Sequence, residues 1–111
     1  MGFLRSRWVE VPEGVRELPG AGLPRGFRAA GVAAGIKPSG GLDVGLLVCD
    51  EPEATSAARF TRSGTAAPPV LLCKERAQLG ALRAVAVNSG NANAATGRPG
   101  MDEAARMQGA A

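Results

Sequence analysis

The chain has no histidine, and its 111 residues include only two cysteines, Cys49 and Cys73, far apart in separate apolar runs. With no histidine and no CxxC spacing there is no zinc ligand set, so no metal site is expected. A Cys–His nucleophilic pair is excluded within the chain. Two reduced thiols in apolar surroundings fit a cytoplasmic protein, with a disulfide as the weaker alternative. Aromatic residues are equally scarce, Phe3, Trp8, Phe27 and Phe60 being the whole set. A core must then be built mainly from Ala, Val and Leu, and burying a Val or Leu is worth only about 1.5–3 kcal/mol before chain entropy is subtracted. No run approaches the roughly eighteen apolar residues of a membrane span, and none reads as a secretory signal. Met1-Gly2-Phe3-Leu4-Arg5-Ser6 fits the short myristoylation pattern, but with no second acyl signal or polybasic patch beside it the match reads as coincidence.

Thirteen basic residues against ten acidic ones give a mild positive charge. Arg62, Lys74, Arg76 and Arg83 are dispersed and no aromatics interleave with them, whereas a nucleic-acid groove needs both a dense basic track and stacking platforms. Neither nucleic acid nor a membrane is expected as a partner.

The chain has length for one modest domain. Residues 1–25, with Pro12, Pro19 and Pro24 among several glycines, read as an extended leader in which Trp8 to Val11 is at most a short edge strand. From Gly26 the texture changes. Phe27 to Ile36 and Leu42 to Cys49 read as two strands joined by the turn Lys37-Pro38-Ser39-Gly40-Gly41, the second strand buried on both faces. Asp50-Glu51-Pro52-Glu53 is an acidic, solvated turn with no neighbour to pair with, and Ala57 to Thr61 alternates as a strand would. Pro68 and Pro69 mark a boundary before a short strand over Val70 to Cys73, and Lys74 to Leu82 holds helix formers enough for one or two turns. A strand over Arg83 to Val87 follows. Thr96 to Gly100 reads as a loop, and Met101 to Ala111 as a helix with Asp102 and Glu103 in its first turn. This order predicts an α+β fold, a mixed sheet with flanking helices, over residues 26–111.

The densest polar feature is Asn88-Ser89-Gly90-Asn91-Ala92-Asn93-Ala94, directly behind the β-branched run. Amides and a hydroxyl at a strand end either order their own turn's backbone or meet a polar small molecule, and Ser89 could donate to an oxyanion. Asn88, Ser89, Gly90, Asn91 and Asn93 are therefore the candidate site, structural or close to an active site. Catalytic residues are not found. The hydroxyls of Thr55, Ser56, Thr61, Ser63, Thr65, Ser89 and Thr96 have no histidine to activate them, and Lys37 and Lys74 are the only lysines. The Ala54-Thr55 and Ala95-Thr96 bonds would give an N-terminal threonine if cleaved, but nothing around them marks a cleavage site. Gly20, Gly22 and Gly26 do not complete a dinucleotide fingerprint.

The blocks Gly26 to Lys37, Leu42 to Asp50, Ala58 to Thr61, Ala67 to Leu72, and Val87 to Ala94 with Thr96-Gly97 resemble, in the same order, the opening of the ornithine acetyltransferase (ArgJ-type glutamate N-acetyltransferase) family. The resemblance covers about residues 20–111. It implies a partial αββα sandwich of the DmpA/ArgJ type and an acyltransferase of arginine biosynthesis that moves acetyl from N-acetylornithine to glutamate, some members also using acetyl-CoA. It further implies self-cleavage before a threonine that then carries the acetyl group, no resident cofactor, and a hetero-oligomer of α and β chains. The family's Thr–Gly oxyanion pair, substrate lysine and Ala-Thr-Met-Leu cleavage run are absent from this sequence, and Thr96-Gly97 belongs to the Asn-rich block instead. The expectation is thus the first part of an α chain, partnered by the remainder of that chain and by the β chain, and inactive alone. The alternative is a non-catalytic interaction module on the same scaffold.

Overall fold

The computed structural model describes residues 10–16 and 22–111. Trp8 and Val9 of the expected edge strand lie outside them, as do parts of the leader, and Glu10 and Val11 carry no strand. The elements run β1 (Phe27–Val32), β2 (Val44–Cys49), α1 (Pro68–Arg76), β3 (Ala84–Asn88) and α2 (Gly97–Ala110).

The three strands form one sheet in the order β1-β2-β3. Both pairings are antiparallel, so the expected mixed sheet is corrected to a wholly antiparallel one among the described residues. β2 is the central strand, as its run of Val and Leu suggests, but it is half-buried along its length instead of sealed on both faces. The register aligns Val32, Val44 and Asn88 across one end of the sheet and Phe27 with Cys49 at the other.

The helices depart further from expectation. Val70 to Cys73 is not a strand: it is the middle of α1, which starts at the Pro pair. Proline suits a helix's first turn because its φ is already helical and its missing N–H would have no partner there. Lys74 and Arg76 then fall in the last turn, where cations complement the dipole. Ala57 to Thr61 forms no strand. It is tethered instead, Lys74 Nζ donating to the Thr61 carbonyl at 2.9 Å and lying 5.8 Å from the Phe60 ring centre. α2 begins a turn before Met101, so Gly97 to Gly100 is helix, not loop, and Asp102 and Glu103 lie beyond the first turn. It continues through Gly109 to Ala110.

α1 and α2 meet at Gly100, which is buried. A Cβ there would come within 2.8 Å of Pro68 Cγ and 2.9 Å of Thr96 Cβ, and it would overlap Thr96 Oγ1. Only glycine allows so close an approach. Leu72, on α1, is 3% exposed, and Pro68 at the start of the same helix is buried as well. Every residue of β1 is exposed. Val32 and Val85 remain 55% and 48% exposed, so among the described residues no second layer covers these apolar side chains.

Candidate functional site

Three segments converge at the Val32–Val44–Asn88 end of the sheet: the loop leaving β1, the residue entering β2, and the Asn-rich turn leaving β3. The residue that joins them is Asp43. It is 4% exposed, the one buried charged side chain among the described residues. Its Oδ1 accepts the amide of Ala34 at 2.6 Å, and its Oδ2 accepts those of Ile36 at 2.6 Å and Lys37 at 3.0 Å. Its own amide donates to the Val32 carbonyl at 3.0 Å, and its carbonyl accepts the Ser89 amide at 2.9 Å. One residue thus ties the β1 loop to the turn after β3. The amides of Ala34 and Lys37, with help from that of Ile36 and the Lys37 charge, hold the Asp43 carboxyl below its ordinary range against the opposing effect of burial. With both oxygens engaged, this carboxylate is an organiser of backbone, not a general base.

Gly90 completes the junction. Its φ is +92°, in the left-handed region, and a Cβ would lie 2.7 Å from Lys37 Cγ and 3.5 Å from Ile36 Cγ2. The Asn-rich turn therefore sits directly against the loop that Asp43 folds. Lys37 in turn donates from Nζ to the Leu42 carbonyl at 2.8 Å.

The predicted site residues are placed as follows. Asn88 ends β3 opposite Val44. Ser89 is anchored through its backbone, Asn91 is exposed and Asn93 half-buried. The Asn93 carbonyl accepts Thr96 Oγ1 at 2.8 Å. Among the described residues, the side chains of Asn88, Ser89, Asn91 and Asn93 form no hydrogen bonds. Asp43 and Gly90 shape the turn through backbone contacts. Asp43 went unnoticed in the sequence, where its signal was an acid between a Gly-Gly turn and a run of Val and Leu.

At the opposite end, Asp50 is not unpartnered as expected. Arg28 donates to it from Nε at 2.5 Å and from Nη2 at 2.8 Å. That hydrogen-bonded pairing lowers the Asp50 pKa and raises that of Arg28. Both side chains are exposed, so the pair fixes geometry more than stability. The Arg83 guanidinium donates to the carbonyls of Glu51 and Pro52, holding the same loop from β3. Several hydroxyls are occupied structurally: Ser56 Oγ donates to the Leu79 carbonyl at 2.9 Å and accepts the Leu82 amide at 2.7 Å. Ser63 and Thr65 bond each other at 2.9 Å. Cys49 and Cys73 are both free thiols.

Residues 28–111, most of the sequence, match the ArgJ family. The chain belongs to that family. It is 52% identical over 81 residues to the arginine biosynthesis bifunctional protein ArgJ of Mycobacterium tuberculosis, covering 73% of this chain and 20% of the relative. The ArgJ of Parasynechococcus marenigrum is 46% identical over 105 residues, covering 93% of this chain and 24% of the relative. The solved ornithine acetyltransferase of M. tuberculosis, complexed with ornithine, superposes with a TM-score of 0.67 at 51% identity, over 73% of this chain and 42% of that one. The solved ArgJ protein of Bacillus halodurans gives 0.68 at 42% identity, over 77% and 44%. The chain thus spans about a fifth to a quarter of the curated relatives' length. No described helix is long and apolar enough to cross a membrane.

Proposed function

We propose that this chain is the scaffold opening of a cytoplasmic glutamate N-acetyltransferase, contributing to acetyl transfer from N-acetylornithine to glutamate in arginine biosynthesis, with acetyl-CoA as a second donor where the enzyme is bifunctional. The observation that carries this reading is close identity to ArgJ proteins over residues that include the Asp43 junction and the Asn-rich turn, combined with coverage of only 20% of such a relative. The acyl-carrying threonine, activated by its own freed amine, and the oxyanion pair belong to the length not represented here. The partners are that remaining α-chain length and a β chain, assembled as a hetero-oligomer, with the 26–111 segment a truncated part of the ArgJ-like sandwich.

In this assembly Asn88 and Asn91 sit near the acyl site at the sheet end that Asp43 holds together. The purified 111-residue chain is expected to show no acetyl transfer from N-acetylornithine to glutamate, and measurable turnover would overturn the assignment of catalysis to the missing length. In a complete relative, alanine at the asparagines aligned with Asn88 and Asn91 should alter kcat or KM while the protein still folds. Unchanged kinetics would remove their role.

A further inference from the structure

Thr96 is the N-cap of α2, the position where a threonine hydroxyl ordinarily accepts an amide of the first helical turn. Here it makes no such bond. Its Oγ1 points back along the chain and donates to the Asn93 carbonyl at 2.8 Å. The helix gives up a cap, and the Asn-rich turn gains a tether. Beside it Ala95 takes φ +58°, the one non-glycine residue in the left-handed region among the described residues, and Gly97 follows at +61°. A residue with a Cβ holds that conformation only where its surroundings over-determine it, and such positions gather at functional sites. Two contacts hold it here. One is the bond to Asn93, and the other is the seat of Thr96 against Gly100, where a Cβ would stand 2.9 Å from Thr96 Cβ.

The other end of the turn is fixed independently. The Asp43 carbonyl accepts the Ser89 amide at 2.9 Å, and Lys37 packs against Gly90. Asn91 and Asn93 thus lie on a span anchored to the sheet at one end and to the start of α2 at the other. A span fixed at both ends loses little freedom when its side chains engage a ligand or a reacting group. We infer that Thr96 is a positioning residue for acetyl transfer: through the Asn93 carbonyl it fixes where Asn91 and Asn93 present their amides. It rests, for the reaction served, on the functional reading above that this turn borders the acyl site. The tether itself rests on the geometry of this chain alone. Thr96 acts by placement, its hydroxyl proton being engaged by Asn93.

Two substitutions separate the hydroxyl from the bulk of the side chain. Thr96→Val keeps the shape and removes the donor, whereas Thr96→Ser keeps the donor. In the 111-residue chain, backbone order parameters from NMR relaxation at Asn91 and Asn93 should fall in Thr96→Val and hold in Thr96→Ser, with Leu47 unchanged in both. The same pair is then made in a complete ArgJ enzyme that carries threonine at the aligned position. There the valine variant should lower kcat for acetyl transfer from N-acetylornithine to glutamate about tenfold with KM unchanged, and the serine variant should stay within about threefold of the parent. A threonine that served only as a helix cap would give the reverse pattern, a lower urea midpoint for the valine variant with kcat intact, and that result overturns the proposal. Unchanged order at Asn91 and Asn93 in Thr96→Val overturns it too, as does a serine variant as slow as the valine one. Alanine at the position aligned with Asn91 is assayed alongside. If it slows transfer and the valine variant does not, the positioning role fails and the functional reading stands; if neither slows transfer, the turn has no part in the reaction and both fall.

Discussion

Gly100→Ala and Gly109→Ala are the same substitution in the same helix, yet the structure assigns them opposite signs. In a helix interior alanine is favoured over glycine by about 1 kcal/mol. At Gly109 an added methyl would meet nothing within 4 Å, so the substitution should realise up to about that gain, less whatever fraying near the helix end removes. At Gly100 the new methyl would meet Pro68 Cγ at 2.8 Å and collide with the Thr96 side chain. Thr96 can rotate away only by giving up its 2.8 Å bond to the Asn93 carbonyl, a loss of about 0.5–1.5 kcal/mol. The Pro68 ring cannot rotate at all, so α1 and α2 must separate, and overpacking of this kind costs about 1–3 kcal/mol. Set against the propensity gain, the net effect is a destabilisation of about 1–3 kcal/mol. Urea titration followed by circular dichroism at 222 nm should shift the midpoint down for Gly100→Ala and slightly up for Gly109→Ala. If both shift upward together, the two helices do not touch at Gly100 and the account of their packing fails.

Asp43 should titrate below the usual carboxylate range near 3.9, because three amides stabilise its charged form. Since its folded-state pKa is depressed, its contribution is fully present above about pH 4 and is lost as pH falls through the lower folded value. A carboxyl titration by NMR with an Asp43 midpoint at or above the usual range would contradict the cradle. Gly90→Ala forces a side chain into a left-handed backbone, which costs about 1–2 kcal/mol, and pushes on Lys37; exchange protection of the Ser89 amide should fall, and unchanged protection would argue against the contact. Leu72→Ala removes the buried anchor of the helix pair and should cost about 2–5 kcal/mol in the same urea assay, whereas Leu71→Ala, at an exposed neighbour, should cost far less. Equal losses would mean Leu72 is not the anchor.

The strands were legible because Val and Leu runs bounded by glycine and polar turns leave little choice of conformation: β1 and β2 begin within two residues of their expected starts and β3 within one. The family was legible for a different reason, since colinear blocks of unusual sequence carry more information than any periodicity. The helices were misread where Gly and Pro cluster. Pro68-Pro69 and Gly97 to Gly100 have loop composition, yet they form first turns, where missing amides and missing side chains are assets. Ala57 to Thr61 alternates like a strand but has no neighbouring strand to pair with among the described residues, and alternation without a partner makes no sheet. The Asn-rich turn stood out as a polar feature of the sequence, and Asp43, which ties it to the β1 loop, did not. Nothing in the immediate neighbours of Asp43 tells that three amides from residues 34–37 will fold back onto it.

That fold-back has a consequence for how the strands find each other. Side chains alternate between the two faces along a strand, so sliding β2 by a single residue would swing the Asp43 carboxylate to the wrong side and strand three donors at once. The misaligned hairpin would lose its loop as well as its ladder. Asp43 therefore works as an alignment pin that only the correct frame of β1 against β2 can satisfy.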